Sequence, residues 1–136
     1  MYGRDDGEWD RLAEAGETFL IERARLRRTT SYTELNAVLQ SRTGLPGFDF
    51  GVQSGRSAMG HLLGLIVERN FPRTGLMISA LVIYLDGNDA GSGFYKLAAD
   101  RGLLTPNPSK QQREAFWVGQ LNRLYSHYSP QGRAAR

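Results

Sequence analysis

The chain has 136 residues, 40 % of them hydrophobic and 23 % charged, with a net charge of +3. That length predicts one domain able to bury a core without staples. There is no cysteine, which excludes disulfides, thiolate nucleophiles and every zinc site that needs sulfur.

The charge is unevenly spread. Residues 1–22 hold seven acids against Arg4 and Arg11, a net charge of −5, so the remainder carries +8. Among the 17 basic residues only Lys96 and Lys110 are not arginine. Arginine favours bidentate contacts with phosphate or carboxylate, and a GC-rich genome gives the same bias without any such role. The acidic start has no apolar run that would make a signal peptide, and "LMISALVIYL" is too short to span a bilayer. The expected location is cytoplasmic, away from the membrane.

In chain order, a first helix is expected over 8–28. Trp9, Leu12, Ala13, Gly16, Phe19, Leu20 and Leu26 recur at three- and four-residue spacing along one face. Its acids come early and its arginines late, as the helix dipole favours. Arg23, Arg25, Arg27 and Arg28 are therefore either a solvated helix end or a phosphate-facing patch. Next comes "TSYTEL", in which Ser31 and Glu34 have capping-box spacing. It opens a second helix over 32–42 that stops at Gly44. The stretch 44–55 reads as a loop in which Phe48, Phe50 and Val52 alternate like a short strand. Its aromatics either plug the core or stack on bases.

A third helix is expected over 56–70, with Met59, Leu62, Leu63, Ile66 and Val67 inward and "NFPRTG" as its end. Gly60 and Gly64 suggest close approach to another element, because glycine otherwise weakens a helix. "LMISALVIYL" is the one convincing strand. "DGNDAGSG" is a turn, and a fourth helix, "FYKLAADRG", ends at Gly102. "GSGF" is too short for a phosphate loop, although a helix start at Gly93 could cradle one anion. Ser109 and Gln112 make a second capping box and open a fifth helix over 110–128. The expected fold class is α+β: a helix-rich single domain over 1–128, with an N-terminal helical arm at 8–28, a core at 29–128 and a small sheet centred on 77–85. Residues 129–136 read as a frayed tail.

No metal or cofactor motif stands out. The two histidines, His61 and His127, are separate, and no HExxH, EF-hand, Walker or nucleophile-elbow pattern is present. Glu68, Asp86 and Asp89 are the one carboxylate set that could hold a nuclease metal, though a tight turn explains the two aspartates. No metal site and no cofactor are expected.

From residue 29 to 103 the order "TSYTEL", "GRSAMGHLL", "ISALVI", "GSGFYKLAADRG" resembles the DNA-binding domain of alkylguanine-DNA alkyltransferases and alkyltransferase-like proteins. It also resembles small uncharacterised bacterial and phage proteins. The first resemblance implies a winged-helix-like core. Ser79 stands where that family has its reactive cysteine, with Ala80 and Leu81 for the adjoining histidine and arginine. Alkyl transfer to a protein thiol is thereby excluded.

Three functions follow as expectations. The first is a non-enzymatic protein for double-stranded DNA, with Arg56 and His61 toward the groove and Arg27, Arg28, Arg42, Arg69 and Arg73 on phosphates. The second is a protein-interaction module or homodimer anchored by Trp117, Tyr125 and Tyr128. The third is a metal-dependent nuclease.

Overall fold

The first helix, α1 (Asp6–Arg25), starts earlier than its apolar spacing implies because Asp5 and Glu8 form a reciprocal capping box. Its end is also earlier. Arg27 takes a left-handed φ of 56°, and the Arg27 and Arg28 amides turn back to the Ala24 and Arg23 carbonyls. This is a Schellman stop with arginine where glycine is usual. The computed structural model describes residues 1–84 and 90–129.

After the turn, β1 (Thr30–Ser31) leads into α2 (Tyr32–Thr43). The Ser31 hydroxyl accepts from the Glu34 amide at 3.0 Å, as its spacing predicts. The other half of the box is diverted: the Glu34 carboxylate accepts from Thr30 Oγ1 at 2.5 Å and pairs with Arg23 at 2.7 Å. Gly44, at φ 72°, ends the helix.

The loop that follows contains no strand. Asn36 takes the place of a sheet neighbour, donating to the Phe48 carbonyl at 3.0 Å and accepting from its amide at 2.8 Å. Phe48 is buried against Trp9, so this aromatic plugs the core.

The longest helix, α3 (Gln53–Thr74), runs past its expected end through Pro72 to a left-handed Gly75. Pro72 lies in the last turn, four residues after Glu68, and both are exposed, so water can serve the Glu68 carbonyl that proline deprives of a donor.

The expected long strand is not formed. Ile78–Leu81 is a single 3₁₀ turn, followed by β2 (Val82–Ile83). β2 pairs in parallel with β1, Thr30 against Val82 and Ser31 against Ile83. The fifth helix, α5 (Lys110–Tyr128), replaces the missing sheet neighbours. The Met77 amide donates to Gln120 Oε1 at 2.7 Å, and Trp117 Nε1 donates to the Ala80 carbonyl at 2.9 Å. A buried apolar run with its polar groups met this way needs no ladder. The fourth helix, α4 (Ser92–Asp100), and α5 sit close to their expected bounds, and both halves of the Ser109–Gln112 box are made.

Among the described residues the architecture is helix-rich α+β with one two-stranded parallel sheet. α1 packs against α2, α3 and α5, and one hydrophobic cluster runs from Trp9 to Leu124. Among the described residues no helix is long and apolar enough to cross a membrane.

Candidate functional site

Three of the expected phosphate contacts are committed to carboxylates. Arg42 forms a two-pronged pair with Glu22 at 2.8 and 2.9 Å, which holds the Glu22 carboxyl below its usual range. Arg69 and Arg73 both pair with Glu17, which is 6 % exposed and also accepts from Asn70 Nδ2 at 3.2 Å. These arginines join α1 to α2 and α3, an organisation that 20-, 52- and 56-residue separations hide from sequence reading. His61 is half-buried, edge-on to Trp9 with ring centres 4.7 Å apart. Arg27, Arg28 and Arg56 make no ion pair among the described residues. Arg27 lies over Tyr125, and Arg56 donates to the Phe50 carbonyl and to Gln53 Oε1.

The expected interface aromatics are engaged internally. Trp117 is a core residue bonded to Ala80, and the Tyr128 hydroxyl accepts from Asn70 at 2.7 Å. Tyr125 is half-buried beneath Arg27. Of the nuclease carboxylates, Glu68 is exposed, and Asp86 and Asp89 lie outside the described residues, as do 130–136 of the expected tail. No metal-binding cluster occurs among the described residues.

The most developed concave feature takes in Arg56 and the helix start at Gly93, which were expected separately and not as one site. A groove of about 870 Å³ runs between α3 and α4, with the start of α2 at one side. Gly60 and Gly64 lie on its α3 wall, and a Cβ at either would meet nothing within 4 Å. The expected close approach is therefore absent there. It occurs at Gly16, where a Cβ would come within 2.5 Å of Ile66 Cδ1. The two α3 glycines instead leave open space where every other residue type would project a side chain.

Aromatic rings and cations line the rest. Tyr32 and Tyr84 lie with ring centres 4.8 Å apart, and Phe50 stands edge-on to Tyr32 at 6.4 Å. Burial, with the Tyr84 phenol beside it, holds the Tyr32 hydroxyl above the usual tyrosine range, so it stays neutral. That hydroxyl donates to the Ala90 carbonyl at 3.3 Å and ties α2 to the approach of α4. Gly91, at φ 87°, packs so close beneath Tyr84 that a Cβ would strike the ring. As N-cap it brings no side-chain acceptor to the first turn of α4. Arg56 and Lys96 both line the groove, while Asp100 is its one acidic lining residue among the described ones. At the floor lies Ser79, 3 % exposed, whose hydroxyl has no hydrogen-bond partner among the described residues.

The chain matches no known protein-family model, no curated protein and no solved structure.

Proposed function

We propose that this protein acts by binding, and that its ligand occupies the groove between α3 and α4. The glycine wall carries this reading. Each glycine inside a helix costs about 1 kcal/mol relative to alanine. Gly60 and Gly64 offset that with no packing, since only open space faces them. Ligand pockets typically enclose about 300–1,000 Å³ and combine apolar walls with a few convergent polar groups, as this one does. The test is amide-shift mapping of the isotope-labelled protein against a panel of small neutral and acidic aromatic compounds. Groove residues on α3 and α4 should respond together. Hits confined to other surfaces, or no hits at all, would remove the reading.

A second reading, non-enzymatic DNA binding, keeps support from one observation. Arg27 is held in a left-handed conformation that glycine adopts more easily, and among the described residues no carboxylate neutralises its charge or that of Arg28. In this reading α2 and α3 serve as the helix pair of a winged-helix-like module. Arg27, Arg28 and Arg56 then supply the phosphate contacts. Three contacts give a log–log salt slope near about −3, against roughly −5 or steeper had Arg42, Arg69 and Arg73 been available too. A labelled duplex titrated at several salt concentrations distinguishes these values. Absence of binding at low salt would exclude the DNA reading.

A further inference from the structure

The groove's lining combines aromatic rings with a helix start, and that combination specifies the ligand. It includes the rings of Tyr32, Phe50 and Tyr84. Faces of this kind stack flat rings and contribute roughly 1–3 kcal/mol for a stacked base. Beside these rings, where Gly91 packs on Tyr84 and Tyr32 bonds the Ala90 carbonyl, is the first turn of α4. Its leading amides have no intrahelical partner, and its N-cap glycine supplies none. A helix start of this kind attracts negative charge.

Two further observations set this helix start apart from an ordinary one. Arg56 and Lys96 bring two cations to the groove, and neither has an ion-pair partner among the described residues. The Ser79 hydroxyl lies buried on the floor without a partner among the described residues. A buried hydroxyl left unbonded costs about 1–3 kcal/mol, which a ligand oxygen or nitrogen at the floor would relieve.

We infer, building on the groove as the ligand site, that its occupant is a small molecule with one flat aromatic ring system and one terminal anionic group. The ring lies against Tyr32, Phe50 and Tyr84. The anion sits at the start of α4 beside Lys96 and Arg56. Phosphate monoesters and carboxylates both supply such an anion, and the same polar end accepts either. Asp100, exposed and two turns along α4 from Ser92, opposes a second negative charge at that part of the groove.

The experiment is an amide-shift titration of the full chain with four probes: adenosine 5′-monophosphate, adenosine, salicylate and its neutral counterpart salicyl alcohol. The expected result is that at least one acidic probe moves Ser92, Gly93 and the aromatic wall together. It should bind at least tenfold more tightly than its neutral partner, and which acid binds identifies the source of the anion. Lys96→Gln should weaken that acid about tenfold and leave the neutral probe unchanged. Lys96 is exposed, so folding is not at risk. Equal affinity for acidic and neutral probes overturns the anionic class but leaves the groove as a ligand site. Shifts confined to the neighbouring cleft by Tyr95, Pro106 and Arg113, or an unchanged acid affinity in Lys96→Gln, overturn it as well. No groove response to any of the four probes, together with none in the wider aromatic panel, overturns both inference and groove.

Discussion

Replacing Gly60 and Gly64 by alanine separates open space from hidden packing. Both lie in the interior of a 22-residue helix. An added Cβ meets nothing within 4 Å at either position, so no clash opposes the gain in helix propensity. Each change should stabilise by about 1 kcal/mol, and the pair by about 2 kcal/mol. With an unfolding entropy of roughly 2.1 cal/mol/K per residue over 136 residues, this raises Tm by about 7 °C. Thermal and urea unfolding followed by circular dichroism measures it. Gly55→Ala is the control on the same helix: its Cβ would overlap the Asp49 carbonyl, so this change should destabilise. If the double alanine variant is less stable than the parent, these glycines serve close packing, and the open wall is wrong.

Three other outcomes follow from the side-chain network. Glu17→Ala removes a buried acceptor shared by Asn70, Arg69 and Arg73, and should lower stability by about 1–3 kcal/mol in urea titration, the half-exposed arginines limiting the loss. Ser79→Ala removes an unbonded buried hydroxyl, so stability should be unchanged or higher by about 1 kcal/mol while affinity for the groove ligand falls; a marked loss of stability would reveal a bond that the geometry does not contain. Arg42→Gln should cost no more than about 1 kcal/mol at neutral pH, because both partners of the pair are well exposed to solvent screening. The Glu22 carboxyl is lowered in the fold by its bond to Arg42, so its contribution is full above the ordinary value of 4.5 and is lost as pH falls through the folded value. The stability gap between Arg42→Gln and the parent should therefore close in acid; a gap constant with pH would contradict this.

What could be read from the sequence was local. Ser31 with Glu34 and Ser109 with Gln112 marked two helix starts, because capping depends on residues three apart. Gly44 and Gly102 marked two helix ends through left-handed backbone. "ISALVI" was misleading because an unbroken apolar run records burial alone, and the amide and carbonyl partners that decide between ladder and 3₁₀ turn come from Gln120 and Trp117, about 40 residues later. The arginine run had the same weakness at longer range. Nothing near Arg69 or Arg73 signals that Glu17, buried on another helix, neutralises them. For the groove, the Gly60–Gly64 spacing was a signal with two meanings: close approach or deliberate space. Only the position of α4 distinguishes them.

The most direct measurement is the ligand titration repeated on Gly64→Leu. The substitution sends a branched side chain into the unoccupied volume of the groove from a helix position that favours leucine over glycine. The predicted result is a protein with intact helicity and unaltered or raised Tm whose groove residues no longer respond to the compounds that shift them in the parent. A folded Gly64→Leu protein that binds the same compounds with the same affinity and the same pattern of shifts would contradict the account.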